Sequence, residues 1–365
     1  MPFSAPPKRI LLVRLSHLGD VIHALPVYHA LRDAFPRARI AWAVQPEFSE
    51  LVWGLPGIDR VLKFNRHAGL TGWWQLVREL REYGADWTID AQGNMKSAAV
   101  TLLSAARRRS GMHAQDWSEA LGAWVLNDPA ERYSRDTGRH AIDRSLHLAA
   151  HVAGTTQQVE SAKASRWLPL SEKETTRGRE RYAELFDTKR HSPIILQVAM
   201  PSDVRSWPLH RQLEFLRLTS AAGTQVLALS GPVEEEIGIR VQRDLANSAL
   251  VKHWVGQRGL RELAGFFHAC AEKGAPFVGC DSGPLHLAAA CGMQVTCLSG
   301  PQDALRTGPW PAPGENSMQQ IVRAPIQLAC APCMSRTCER AEGTLCMEHI
   351  NPELVLATLA ERFDA

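Results

Sequence analysis

Two nucleotide-binding signatures are missing from this chain. No Gly-x-Gly-x-x-Gly follows the first predicted strand, which weighs against a dehydrogenase, and no Walker A sequence appears, which weighs against a P-loop nucleotidase. No apolar run approaches the ~20 residues of a membrane-spanning helix. The apolar run Ile10-Leu11-Leu12-Val13 is too short for a signal-peptide core and Asp20 soon follows it, so the expected location is the cytoplasm. No basic, aromatic-interleaved motif marks a nucleic-acid binder. Internal repeats and low-complexity tracts are also absent.

What is present is ample for two domains. At 365 residues the chain exceeds one ordinary α/β domain, and 45% apolar with 22% charged residues suits a globular protein with a sizeable core. The net charge of +3 is unevenly spread: residues 1–170 hold 21 Lys and Arg against 16 Asp and Glu, and the remainder holds 20 against 22. Either the first half meets an anionic partner or the surface charge is simply scattered.

Strand-like runs alternate with helical periodicity. Residues 9–15 (RILLVRL) read as a buried strand, 20–35 as a helix with Val21, Leu25, Tyr28 and Leu31 on one face, 39–44 as a second strand and 61–64 as a third. A helix over 73–83, a strand over 87–90 and a helix over 96–106 follow. The polar stretch 155–191, with an amphipathic segment at 172–185, marks the domain boundary. Alternation restarts with strands at 193–198, 225–229, 276–279 and 295–298 and helices at 208–221, 233–247, 260–270 and 283–291. This pattern predicts an α/β fold of two facing Rossmann-like domains with a cleft between them and ligands beyond the carboxyl ends of parallel strands. The expected division is 1–175 and 176–365, with a last helix able to pack back on the first domain.

Three turns carry chemistry. Gly19-Asp20 lies between the first strand and helix; glycine allows a tight turn, and Asp20 is either an N-cap or a general base. Cys280-Asp281-Ser282-Gly283-Pro284-Leu285-His286 follows a strand and opens a helix. Ser282 can cap that helix, Pro284 suits its first turn, and Gly283 lets a phosphate approach the exposed N–H groups. Arg205 closes a loop and is either a phosphate ligand or a surface charge; Glu234 is either a ribose contact or a surface charge.

Leu11-Leu12-Val13-Arg14 through Gly19-Asp20-Val21-Ile22-His23-Ala24-Leu25-Pro26 resembles the opening of glycosyltransferase family 9. So do Asp90-Ala91-Gln92-Gly93 with Lys96-Ser97-Ala98, Ser110-Gly111-Met112, and His140-Ala141-Ile142-Asp143-Arg144. Asp281 through Ala290, then Gly300-Pro301 and Asp303, is similar to the donor-site signature of that family. The likeness runs over nearly the whole chain in matching order. It implies a GT-B fold and inverting transfer of heptose from ADP-heptose to a Kdo-containing inner-core acceptor of lipopolysaccharide, with no catalytic metal or cofactor. Asp20 then acts as base; Arg205, Glu234, Asp281, Ser282, Gly283 and His286 bind the donor; Gly19, Lys63, Arg66, Lys96, His140 and Arg144 serve the acceptor. Such an acceptor is anionic and lipid-linked, which implies peripheral contact with the cytoplasmic face of the inner membrane; Trp73-Trp74 either packs in the core or serves that contact, and adjacent helix positions cannot both point fully inward. The chain departs from the family in having Arg205 where Lys is usual and in lacking His or Thr over 198–202. Another nucleotide sugar, another acceptor, or a catalytically silent binding protein are the alternatives.

Eight cysteines complete the inventory. Cys330, Cys333, Cys338 and Cys346 form one cluster whose first pair has metal-site spacing; it is read either as a zinc or iron site or as reduced thiols, the latter being the working expectation. Cys270, Cys280, Cys291 and Cys297 lie in apolar contexts and are expected in the core.

Overall fold

The apolar runs become parallel strands covered on both faces. The computed structural model describes residues 6–133, 140–154, 168–198, 203–231, 235–245, 248–255, 259–311 and 318–361. They fall into two compact units, Met1–Pro169 and Leu170–Ala365. Among the described residues no helix is long and apolar enough to cross a membrane.

In the first unit the order is β1 (Arg9–Val13), α1 (Leu18–His23), α2 (Leu25–Ala34), β2 (Arg39–Val44), α3 (Ser49–Trp53), β3 (Ile58–Lys63), α4 (Gly69–Tyr83), β4 (Trp87–Asp90), α5 (Met95–Leu103), β5 (Arg108–Gly111), β6 (Asp128–Pro129) and α6 (Ala141–Ala153). The described strands form one parallel sheet in the order β3-β2-β1-β4-β5-β6. Strand β1 is central, and its Ile10, Leu11, Leu12 and Val13 are fully buried, as the unbroken apolar run requires of a strand covered on both faces. Leu11 and Val13 pack with Ala41, Leu62, Leu76, Leu80 and Val100 on one side of the sheet. The single helix expected over 20–35 is instead two. Pro26 in the first turn of α2 has no N–H, and its ring would strike the carbonyl one turn back in a continuous helix, so the chain breaks at Ala24.

The second unit runs α7 (Glu172–Leu185), β7 (Ile194–Gln197), α8 (Leu209–Ala221), β8 (Val226–Ser230), α9 (Glu235–Asp244), β9 (Val251–Val255), α10 (Leu260–Glu272), β10 (Phe277–Cys280), α11 (Gly283–Ala290), β11 (Val295–Leu298), α12 (Ala304–Thr307), β12 (Gln320–Val322), α13 (Leu345–Glu348) and α14 (Pro352–Ala360). Its sheet order, β12-β11-β10-β7-β8-β9, repeats the winding of the first. Leu196, Val198, Trp207, Phe215, Leu216 and Val278 form its core with Met347, Ile350, Val355 and Leu359. The closing helix α14 therefore packs within the second unit.

The boundary expected at 175/176 would cut α7. That helix belongs wholly to the second unit because it crosses α10 at backbone contact: a Cβ on Gly178 would lie 2.0 Å from the Gly265 carbonyl oxygen. Arg261 and Glu174 pair across the same crossing, with Arg261 Nη2 2.9 Å from Glu174 Oε2. Any side chain at position 178 must push the helices apart. Gly178→Val is expected to lower stability by roughly 1–3 kcal/mol, the usual range for overpacking, read as a lower urea midpoint with an unchanged slope.

Candidate active site

Each sheet reverses its winding direction once, between β1 and β4 in the first unit and between β7 and β10 in the second. At such a switch point the loops leaving two adjacent strands diverge and open a crevice at their carboxyl ends. Asp20 lies at the first of these points, and Arg205 and the Asp281–His286 turn lie at the second.

In the first unit β1 runs into Arg14, Leu15 and α1. Asp20 is the third residue of α1; the N-cap position belongs to His17, whose N–H donates to Asp20 Oδ2 at 3.2 Å. Asp20 Oδ1 lies 2.7 Å from Arg14 Nη2. Burial opposes the Asp20 charge, but the Arg14 guanidinium, His17 and His23 outweigh it and hold the carboxyl far below the usual carboxylate range. Gly19 lies inside α1 with no left-handed backbone, so it makes no tight turn there.

Beside it, β4 ends on Asp90, which is buried. Its Oδ1 accepts the N–H groups of Gln92 (2.9 Å) and Gly93 (3.0 Å), and its Oδ2 accepts the Thr101 hydroxyl at 3.1 Å. Burial nonetheless keeps this carboxyl above its ordinary range. Gly93 adopts φ of +77°, which a side chain would disfavour, and so lets the turn fold back under the carboxylate. Gln92 Oε1 accepts the Leu15 N–H at 2.6 Å, and Arg14 Nη1 donates to the Ala91 carbonyl. The Asp90–Gly93 turn thus grips the segment that carries Arg14. Sequence reading assigned Arg14 no role; its place one residue past a buried strand, facing a neighbouring Asp-x-Gln-Gly turn, was the available signal.

In the second unit β10 ends at Cys280 and is followed by Asp281. Asp281 Oδ1 lies 3.1 Å from His286 Nε2, and Oδ2 accepts the Thr307 hydroxyl at 2.7 Å. Burial works against its charge, but His286, Thr307 and Arg205 prevail and lower this carboxyl. Ser282 occupies the N-cap position of α11, yet its hydroxyl donates to Gln197 Oε1 (2.7 Å) and does not cap the helix, contrary to expectation; the side chain at the end of β7 captures it first. Pro284 stands in the first turn as expected. Arg205 is half-buried: its Nε and Nη2 hold the Asp203 carboxylate at 2.9 and 2.5 Å, and its Nη1 lies 3.4 Å from the Asp281 carbonyl oxygen. Gly283 begins α11. Glu234 lies outside the described residues.

The expected acceptor residues do not form one cluster. Lys63 ends β3 and Arg66 lies three residues on, both exposed at the edge strand two places from β1. Lys96 is exposed in the first turn of α5. His140 is only 2% exposed; its Nδ1 accepts the Ile142 N–H, and its ring lies 5.5 Å from that of His23. It serves as a helix cap, a use of its polar atom that a surface contact would forgo. Arg144 is half-buried on α6.

Cys330, Cys333, Cys338 and Cys346 line one shallow pocket with Val204 and Pro301. Burial, together with the three neighbouring thiols, raises the Cys346 thiol. Among the described residues no group of three His, Cys, Asp or Glu side chains is arranged to hold a metal ion. Cys270, Cys280, Cys291 and Cys297 are buried, as their apolar contexts implied.

The lowered Asp281 carboxyl has a sign that can be worked out. A folded-state value below the unfolded one adds stability above the unfolded value, about 4, and that stability is lost as pH falls through the folded one. The stability advantage of the native chain over Asp281→Asn is therefore expected to shrink as pH falls below about 4, measured by denaturant unfolding over a pH series.

These features match a known family. A family model described as glycosyltransferase family 9 (heptosyltransferase) covers residues 73–342. Lipopolysaccharide heptosyltransferase 1 of Pseudomonas aeruginosa is 26% identical, over 96% of this chain and 97% of its own. Among solved structures, E. coli heptosyltransferase WaaC with ADP aligns at a TM-score of 0.67 and 22% identity, over 97% of this chain and 99% of that one. A glycosyltransferase family 9 structure from Veillonella parvula reaches a TM-score of 0.73 at 21% identity, over 97% and 96% of the two chains. The shared fold is GT-B, two Rossmann-like units.

Proposed function

Because the chain belongs to glycosyltransferase family 9, we propose that it moves heptose from ADP-heptose to a Kdo-containing inner-core acceptor of lipopolysaccharide, inverting the anomeric centre, with Asp20 as general base. Membership makes it a glycosyltransferase. The relative from Pseudomonas aeruginosa carries the heptosyltransferase name, and one solved neighbour is described with ADP, which supports the donor class.

The observation that carries this reading is a partly exposed carboxylate paired with Arg14 at the β1/β4 switch point. As the acceptor hydroxyl attacks the anomeric carbon, its proton passes to Asp20 while the bond from that carbon to the diphosphate oxygen breaks. The charge left on the departing ADP requires a positive counterpart. Arg205 and the first turn of α11 supply one, supported by their common position at the β7/β10 switch point. Arg205 would exchange the Asp203 carboxylate for diphosphate oxygens, which present the same two-oxygen geometry to its guanidinium. No step in this scheme calls for a cofactor. Asp20→Asn is expected to reduce turnover by ~10²–10⁴-fold with donor binding nearly unchanged. Turnover measured with ADP-heptose, alongside calorimetric ADP binding, tests this, and near-native turnover would remove Asp20 from the role.

The acceptor side of the proposal is an anionic lipid-linked saccharide met at a membrane surface. Trp73 packs on Phe64 with ring centres 4.5 Å apart, whereas Trp74 is 67% exposed and Leu70 87% exposed on the same helix, α4. Exposed Lys63 and Arg66 precede them in the chain. Apolar side chains beside basic ones suit an anionic bilayer surface. Co-sedimentation is expected to show binding to anionic vesicles at low salt, little to neutral vesicles, and a loss in Trp74→Ala. Equal binding to both vesicle types, or none to either, would end this part of the reading.

A further inference from the structure

Arg14 is the cation closest to the proposed base, and its geometry is unusual for a simple ion pair. Only one of its terminal nitrogens faces Asp20: Nη2 reaches Oδ1 at 2.7 Å, and Nη1 is spent on the Ala91 carbonyl. Its Nε is buried without a hydrogen-bond partner. The guanidinium is therefore strung between a backbone carbonyl and one carboxylate oxygen, and does not make the two-pronged contact that a surface Arg–Asp pair adopts. Its side chain is 14% exposed while that of Asp20 is 41% exposed, so the carboxylate stands between the arginine and solvent.

The support behind Arg14 is rigid. Ala91 belongs to the turn held by the buried Asp90 carboxylate through two N–H groups and the Thr101 hydroxyl. The same turn takes the Leu15 N–H onto Gln92. One oxygen of Asp20 is thus committed to Arg14, and the other faces the His17 N–H at 3.2 Å, the His17 Nδ1 at 3.7 Å and whatever approaches from solvent.

Resting on the reading of Asp20 as base, we propose that Arg14 is its positioning residue: anchored by the Asp90–Gly93 turn, it fixes which Asp20 oxygen meets the acceptor hydroxyl and tempers how strongly that oxygen takes a proton. Other groups act on the same carboxylate. His17 and His23 on and beside α1 add positive charge when protonated. Helix α6, packed on α1, contributes His140, edge-on to the His23 ring, and Asp143, whose Oδ2 accepts the His140 N–H at 3.3 Å. Among the described residues, Arg14 is the permanent charge in contact.

The consequence is a rate profile with no acid limb. While Arg14 is present, Asp20 stays ionised through the working range, so kcat/KM is level on the acid side down to about pH 5. Without it, burial acts with less opposition and the carboxyl moves toward or above its ordinary value of about 4. Arg14→Met is expected to lower kcat, leave the KM for ADP-heptose within about twofold, and bring an acid limb in kcat/KM above pH 5, where the native profile is level. Arg14→Lys keeps the charge but cannot span both partners; its profile is expected to stay level while kcat falls. A readout independent of turnover is the ¹³C carboxyl resonance of Asp20 in ¹³C-aspartate-labelled protein, assigned by its loss in Asp20→Asn. Its titration midpoint is expected to rise in Arg14→Met and not in Arg14→Lys. An Arg14→Met profile that merely scales the native one, with an unmoved resonance, would overturn the proposal. Near-native turnover in Asp20→Asn would instead remove the reading beneath it, and the two failures are told apart by that variant alone.

Discussion

A carboxylate placed at the end of a buried parallel strand must find hydrogen-bond donors inside the protein, and at both switch points of this fold that demand organises everything nearby. In the first unit the carboxylate is Asp90, at the end of β4. In the second it is Asp281, directly after β10. These two strands occupy the same place in their sheets, each beside the strand that opens its unit. Asp90 draws in two backbone N–H groups and a threonine hydroxyl, and the turn so formed grips Arg14. Asp281 draws in His286 and Thr307, while its own carbonyl meets Arg205. Leaving either carboxylate unsatisfied would carry a penalty of several hydrogen bonds' worth, so the loop shapes follow from the aspartates more than from the loops' own sequences.

A second regularity is charge held in reserve. Asp20 is matched to Arg14 and Arg205 to Asp203 before any substrate is present. The pairing stabilises each group near its place, which limits reorganisation when a substrate charge arrives. It also means that an incoming group competes with an internal partner. For Arg205 that partner is the carboxylate two residues away, and under the donor-site reading proposed above a diphosphate would have to displace it.

Sequence patterning conveyed the winding well and the local contacts poorly. Strands β2, β4 and β11 and helix α7 have the predicted limits, because each is a self-contained apolar or amphipathic run. Strands β5, β6, β9 and β12 escaped notice: β5 opens on two arginines, β6 is two residues long and β12 three, and β9 sets Lys252 and His253 inside its short run, so none carries a readable period. Asp20, Asp281 and Arg205 each stand at a switch point of their sheet. What the family blocks could not disclose is who partners whom. Arg14 meets Ala91 across 77 residues of chain and Ser282 meets Gln197 across 85, and no local pattern encodes such pairings. His140, which the resemblance assigned to the acceptor, is buried with its Nδ1 taken by the start of α6.

The core of the second unit also bears on how the chain acquires its shape. Trp207, beside the Arg205 loop, donates its indole N–H to the Ile350 carbonyl, and Met347, Val355 and Leu359 complete the cluster that β7 and α8 begin. A chain leaving the ribosome can close the first unit once residue 169 has emerged, but the second remains open at its base until residues 347–359 follow. During that interval the strands around Asp281 lack part of their apolar cover. The half of the molecule bearing the Arg205 loop is thus the one whose core is completed last during synthesis.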